Sequence, residues 1–291
     1  MQELVETTGA GAPAPFGQHA PDARLARIIR WTRAAPDSWL GRRFAFTLRR
    51  RALARLRDPV DAEALGARFR LFPSDNICEK RLLFTPQYFD PEERRILARH
   101  LAAAGPRFVF LDIGANVGAY SLFVAMQGHP GTTVIAVEPQ PVVFERLCEN
   151  IRQNPGSRVK AIACAVADRD GEVTLFLDRV NRGETGLRHV PLGQRGEGAV
   201  TVPARTLLTL VRDEGLERVD AIKIDVEGAE DLVLDPYLRT APEALWPRLV
   251  IVEDARKRWQ IDLDAPLRSR GYRQLVQTRL NLVYERAAVS D

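Results

Sequence analysis

The 291-residue sequence predicts an α/β fold: a doubly wound, mostly parallel sheet with an antiparallel C-terminal hairpin, plus a helical N-terminal extension. Three observations predict it. From Arg107 onward, short apolar runs alternate with helical stretches, the pattern of parallel strands covered by helices on both faces. The first run, Phe108-Val109-Phe110-Leu111, ends in the turn DIGANVG at 112–118, and amphipathic helical spacing follows it. The last two runs meet around Thr278-Arg279, too close for a crossover helix, so they pair as a hairpin.

Residues 1–20 are rich in Gly, Ala and Pro and are expected to be a disordered tail. Residues 21–58 read as a basic helical extension, with helices over 22–34 and 37–57 separated by Ala35-Pro36. Arginine is dense over 24–58 and acids are few. The plain reading is a solvated face whose apolar side (Leu25, Ile28, Ile29, then Leu40, Phe44, Leu48) docks on the main domain. Such a stretch also suits an acidic membrane surface, nucleic acid or an anionic substrate. Peripheral contact with an anionic membrane is kept as an expectation, and no nucleic-acid partner is expected.

Residues 59–105 are mixed and read as an N-terminal cap. Their clearest element is a helix from Pro91 to Ala104, started by Asp90-Pro91-Glu92-Glu93 with a capping acid, a proline at the first position and acids in the first turn. Over 106–291, strands are expected at 107–113, 133–138, 159–164, 219–225, 247–253, 271–277 and 280–286. Helices are expected near 117–128, 141–153, 205–215, 228–238 and 261–269. The segment 172–202 carries two further β-like runs, GEVTLFL and GAVTV, around a polar loop long enough to suggest a substrate lid over 178–198.

Composition sets limits. Hydrophobic residues make up 45% of the chain, enough for a sizeable core, and the net charge is +4. No apolar run approaches the roughly 18–20 residues of a membrane span. The first residues lack the basic start and apolar middle of a signal peptide. Cys78, Cys148 and Cys164 stand too far apart for a zinc spacing or a disulfide framework, so a reducing cytoplasm is expected.

The turn DIGANVG lies where ligands sit in such sheets, beyond the carboxyl end of a strand. Gly114 permits a turn geometry closed to other residues, and Gly118 permits close packing. Asp112 is an acceptor at the strand tip. Glu138 ends the next strand in VIAVEP, suited to accept both hydroxyls of a ribose, and an acid about 20 residues after the glycine turn is an adenosine-binding feature. The glycines here read G-x-N-x-G around Asn116, not the G-x-G-x-x-G of dinucleotide sites.

This pattern resembles motif I of class I S-adenosylmethionine-dependent methyltransferases. DIGANVG, VEP at 137–139, AVADRDGEV at 165–173 and KIDVEGAE at 223–230 together resemble the FkbM family of methyltransferases, over about Asn76 to Tyr284. The resemblance implies a Rossmann-like methyltransferase fold with S-adenosylmethionine as donor. It implies O-methylation of a sugar, glycan or polyketide-type metabolite. It implies cofactor-binding roles for Asp112, Gly114, Asn116, Gly118, Glu138 and Asp168. The family pattern usually has asparagine near Cys164, a departure on the adenine side.

Methyl transfer to a hydroxyl needs alignment and removal of a proton. The candidate catalytic acids are Asp225, ending VDAIKID, and Glu253, ending LVIVED. Glu227 and Glu230 start the next helix, with Glu230 read as a helix-face or orienting acid and Lys223 as a structural counter-ion. Asp225 with Glu253 and Asp254 is also a candidate magnesium set of hard oxygen ligands. In the polar loop, His189 is a candidate base, and Arg182, Arg188 and Arg195 are candidates for an acidic acceptor. The rival functions are an RNA ribose methyltransferase using the arginine-rich arm and an NAD(P)-dependent oxidoreductase. The second predicts G-x-G-x-x-G, which is absent. The segment around Phe84, Tyr88 and Phe89 is a further candidate for acceptor specificity.

Overall fold

The structure is a computed structural model and describes residues 14–177, 185–187 and 199–287. The N-terminal helices are α1 (Ala23–Arg33) and α2 (Trp39–Leu53), started by side-chain caps from Asp22 and Ser38. A hairpin follows, β1 (Val60–Ala64) and β2 (Ala67–Leu71), then α3 (Ile77–Phe84), capped by Asn76, and α4 (Pro91–Ala103).

The next part of the chain alternates. β3 (Val109–Ile113), α5 (Ala119–Gln127), β4 (Thr133–Val137), α6 (Pro141–Arg152) and β5 (Val159–Ile162) come first. β6 (Ala165–Val166), β7 (Gly171–Leu177), β8 (Thr185–Leu187) and β9 (Ala199–Arg205) form a separate sheet in the order β6-β9-β7-β8. Then follow α7 (Leu207–Asp213), β10 (Ala221–Ile224), α8 (Glu230–Thr240), β11 (Leu249–Glu253), α9 (Asp264–Arg268), β12 (Tyr272–Gln277) and β13 (Asn281–Arg286).

The main sheet has the order β12-β13-β11-β10-β3-β4-β5. Its five strands from β11 to β5 are parallel, and β13 runs antiparallel between β11 and β12. The expected parallel sheet and C-terminal hairpin are both present. The two faces are covered separately. Phe110, Ala221, Ile251 and Val283 belong to one core with α3, α4 and α5. Leu111, Ile113, Ile222 and Val252 belong to the other with α7 and α8. Burial on both faces is why these strands read as continuous apolar runs.

Two expectations are corrected and one, the mixed cap, is given its form. Of the Gly/Ala/Pro-rich tail, residues 14–20 are not loose. Asp61 Oδ2 accepts from the amides of Gly17 at 2.8 Å and His19 at 3.1 Å, and Arg70 donates to the Pro15 carbonyl at 3.0 Å. Residues 59–76 contain the β1–β2 hairpin, whose polar side chains are buried by pairing: Arg70 lies 2.9 Å from Asp61 and 2.8 Å from Glu149. Finally, α2 does not dock through Leu40 and Phe44, which are 70% and 51% exposed. It buries Gly41, Ala45 and Ala52 instead. Gly41 is seated so close to the preceding turn that a Cβ would lie 2.2 Å from the Pro36 carbonyl oxygen, so that face admits only small residues. Leu25, Ile28 and Ile29 of α1 do pack on the core as expected.

Candidate active site

The strand order reverses at β3. From there the chain proceeds through β4 and β5 on one side and β10 and β11 on the other, which leaves a crevice beyond the carboxyl ends of β3 and β10. A cavity of about 220 Å³ fills that crevice. The turn after β3 builds its floor. The amides of Gly114 and Ala115 both donate to the Val137 carbonyl at 2.9 Å, tying the turn to the tip of β4. Gly114 has φ +77° and passes so near β10 that a Cβ would lie 1.8 Å from the Asp225 carbonyl oxygen. Gly118 has φ +88°, with Leu147 against it. Asn116 takes φ +51°, and its Oδ1 accepts from Asn76 Nδ2 and from the Val117 amide, both at 2.9 Å.

Two acids line the β3–β4 side. Glu138 accepts from the Asn116 amide at 2.9 Å and the Gln140 amide at 3.0 Å. Burial pushes its carboxyl up to about 7, against the pull of those two amides. Asp112 Oδ2 accepts from the Ser121 amide at 2.9 Å and hydroxyl at 2.6 Å, and burial raises its pKa as well.

The sheet register sets Lys223 of β10 directly beside Asp112 of β3. Asp225 follows two residues later, and Lys223 Nζ lies 2.8 Å from its Oδ2. Burial opposes the Lys223 charge, but the Asp225 and Asp112 carboxylates outweigh it and hold the ammonium above its ordinary pKa. The same ammonium sits 5.2 Å from the centre of the Tyr120 ring. At the tip of β11, Glu253 is pushed up to about 7 by burial and then by the Asp225 charge, with Arg258 3.2 Å away. Glu230 is fully buried and works inward. Its Oε1 accepts from the amides of Val226 and Gly228 and its Oε2 from the Trp259 indole, which clamps the loop after β10.

The cap supplies the remaining wall. Arg81, Phe89 and Asp90 line the cavity, as do Leu280 and Asn281 of the C-terminal hairpin. Asp90, at φ +41°, accepts from Arg81 at 2.8 Å and from the Tyr120 hydroxyl at 3.2 Å. Among the lining side chains, acids (Asp90, Asp112, Glu138, Asp225, Glu227, Glu253) outnumber bases (Arg81, Lys223). That balance favours a ligand carrying positive charge and disfavours a pyrophosphate.

A family model described as the methyltransferase FkbM domain matches residues 112–273, from the glycine turn to the last strand pair. The chain belongs to the FkbM methyltransferase family. It is 30% identical to the 31-O-demethyl-FK506 methyltransferase FkbM of Streptomyces tacrolimicus, over 60% of this chain and 73% of that enzyme. It is 26% identical to the hexuronic acid methyltransferase AglP of Haloferax volcanii, over 62% of this chain and 68% of that enzyme. Matches to the first three curated relatives span 73, 58 and 56% of their lengths. Among solved structures, the METTL16 MTase domain aligns over 93% of each chain at 16% identity and a TM-score of 0.49. As an FkbM-family member, the enzyme uses S-adenosylmethionine, and the acid-rich lining is matched to that sulfonium donor in charge.

In this FkbM-family cavity the structure gathers Asp112, Gly114, Asn116, Glu138, Asp225 and Glu253. Gly118 lies behind them, packed against Leu147. Asp168 is not brought there. It is exposed in the turn after β6, and the lining on that side is Cys164, Ala165 and Val166. Asp254 also falls outside. Consecutive strand residues face opposite ways, and Asp254 pairs with Arg256 and Gln277. The carboxylate that joins Asp225 and Glu253 is Glu230, the three lying within 4.8 Å of one another. Lys223, expected as a structural counter-ion, pairs with Asp225, while Tyr120, Arg81 and Asp90 are additions to the expected set. Lys223 and Asp225 stand two apart on one strand, a spacing that marks a shared side; nothing in the sequence marks the other three. His189, Arg182, Arg188 and Arg195 lie outside the described residues, as does the 178–198 loop apart from Thr185–Leu187. Tyr88 and Phe84 are buried away from the cavity, while Phe89 lines it.

Proposed function

We propose that this enzyme methylates a hydroxyl on a sugar, glycan or polyketide-type metabolite, with Glu138 and the 112–118 turn on the donor side and Asp225 and Glu253 on the acceptor side. The observation that carries this reading is the acid-dominated cavity at the β3–β10 crevice. Bound S-adenosylmethionine supplies an electrophilic methyl on a sulfonium. Glu138 receives the ribose hydroxyls on the lone pairs its two amide contacts leave, and Asp112 and the turn receive the amino acid end. Cys164, Ala165 and Val166 form an apolar wall for the adenine.

On the other side, Glu253 takes the proton of the acceptor hydroxyl. A carboxyl near 7 is matched to accepting a proton at neutral pH. Asp225, paired with Lys223 at 2.8 Å, orients the hydroxyl oxygen. Two relatives support the acceptor class, since one is named for 31-O-demethyl-FK506 and the other for a hexuronic acid. No step runs through magnesium. Asp225, Glu230 and Glu253 are close enough to one another, but Lys223, two backbone amides, the Trp259 indole and Arg258 already occupy them. We further propose that the N-terminal helices over 21–58, the 59–105 cap and the region from 106 onward are successive segments built around a shared core. The three unpaired cysteines are consistent with work in the cytoplasm.

Calorimetric titration tests the donor half. S-adenosylhomocysteine binds the wild type and NAD does not. Glu138→Gln weakens S-adenosylhomocysteine by about 2 kcal/mol, roughly thirtyfold. Tight NAD binding, or an unaffected variant, refutes the donor assignment. Transfer of labelled methyl to uronic acids and to polyketide alcohols tests the acceptor half, and transfer only to amines or RNA refutes it.

A further inference from the structure

The outer face of the N-terminal helices is inverted relative to an ordinary amphipathic pair. Among the described residues, Trp31, Trp39, Leu40, Phe44 and Phe46 are exposed large apolar side chains on α1 and α2 or at their joint. The other exposed large hydrophobics, Ile77, Met126 and Leu280, are scattered. A soluble helix normally turns such residues inward, yet α2 packs inward through Gly41, Ala45 and Ala52. The apolar residues are also arranged. Leu40 and Phe44 are four apart and Trp39 and Phe46 seven apart, so they form two stripes on one helix. Arg43 and Arg50, seven apart and both exposed, run between the stripes. The arginines cover the rings: Arg43 lies 5.5 Å from the Trp39 centroid and Arg49 4.6 Å from that of Phe46.

The charge selects the occupant. From Arg24 to Asp58 the only acids are Asp37 and Asp58, and Asp37 is paired with Arg42 at 2.5 Å. A second copy of this face would bring arginine against arginine. Nucleic acid would meet the arginines but leave Leu40 and Phe44 without a role. An acidic lipid surface satisfies both, since phosphates meet the guanidinium groups and the aromatic and aliphatic side chains enter the headgroup–acyl boundary. We propose that the outer face of α1 and α2 docks on an anionic lipid bilayer, with Trp39, Leu40 and Phe44 at headgroup depth and Arg43 and Arg50 against the lipid phosphates. No helix among the described residues is long and apolar enough to cross a membrane, so this is contact in the plane of the surface.

Flotation of the full chain with vesicles tests this. Vesicles of phosphatidylcholine mixed with phosphatidylglycerol bind the wild type about tenfold more tightly than phosphatidylcholine alone. The triple variant Trp39→Ser, Leu40→Ser, Phe44→Ser loses at least about tenfold of that binding, and so does Arg43→Glu with Arg50→Glu. Because all five side chains are exposed, both variants keep the wild-type unfolding temperature and S-adenosylhomocysteine affinity. Equal flotation of wild type and variants overturns the proposal. So does equal binding to neutral vesicles. A dimer seen by light scattering and lost in the triple variant overturns it in favour of a second copy. Binding to RNA without binding to acidic vesicles overturns it in favour of nucleic acid.

Discussion

Lys223 Nζ lies 2.8 Å from Asp225 Oδ2 and beside Asp112 in the sheet register, so one buried ammonium serves two carboxylates at the β3–β10 crevice. Removing it leaves those carboxylates facing each other. Lys223→Met is expected to cost about 3 kcal/mol, the lower end for breaking a buried pair, because Asp225 is partly open to solvent. The loss appears in denaturant unfolding. Lys223→Met with Asp225→Asn recovers part of it, and an unchanged midpoint for the single variant contradicts the shared role.

Glu253, pushed up to about 7 by burial and by Asp225, makes methyl transfer sensitive to pH near neutrality. Below 7 its carboxyl is protonated and cannot accept the hydroxyl proton. Above 7 it is ionised. The kcat therefore rises from pH 6 to pH 8 and then levels. Glu253→Gln removes the rise and lowers kcat by about a hundredfold or more, with S-adenosylhomocysteine affinity little changed. A profile that keeps its shape in the variant assigns the base elsewhere.

Gly114 and Gly156 both have positive φ, +77° and +98°, but only Gly114 meets backbone where a Cβ would go. Gly156→Ala therefore carries only the conformational cost, about 1–2 kcal/mol. Gly114→Ala adds a collision with the Asp225 carbonyl and is expected to lose more than about 3 kcal/mol together with donor binding. Thermal unfolding of the two variants side by side separates the effects. Equal losses would mean the close approach at Gly114 relaxes freely.

The carboxylate trio of Asp225, Glu230 and Glu253 is expected to work without a divalent cation, since Glu230 has both oxygens bonded to protein donors and Asp225 and Glu253 each have one oxygen held by a cationic side chain. Methyl transfer continues at an unchanged rate after dialysis against a chelator. A rate restored only by added magnesium would show that those donors give way.

The parallel strands and the glycine turn were readable because burial on both faces writes continuous apolar runs, and because a turn at Gly114 and Gly118 needs glycine. Cavity-lining acids at strand tips, Glu138 and Asp225 among them, were readable from position alone. The β1–β2 hairpin was not. Its buried Asp61 and Arg70 look like surface residues until their pairing is seen, and its turn is Leu65-Gly66 with no Asn or Asp to announce it. The inward face of α2 was misread because large apolar residues were given the core that Gly41, Ala45 and Ala52 occupy. That Glu230, not Asp254, joins Asp225 and Glu253 depends on the course of the chain after β10 and β11, which spacing in the sequence does not give. The cap residues Arg81 and Asp90 reach the cavity only through tertiary packing.

Tyr88 and Phe89 are consecutive and face opposite ways. The Tyr88 hydroxyl lies 2.9 Å from the Ala35 carbonyl oxygen and 2.7 Å from that of Pro36, at the joint between the two basic helices. Phe89 lines the cavity, with the Arg81 guanidinium 4.6 Å from its ring and the Tyr120 ring centre 6.0 Å away. A single peptide unit thus connects the outermost helices to the chamber wall. The joint of the two basic helices and the chamber wall are therefore fixed by neighbouring side chains of the same turn.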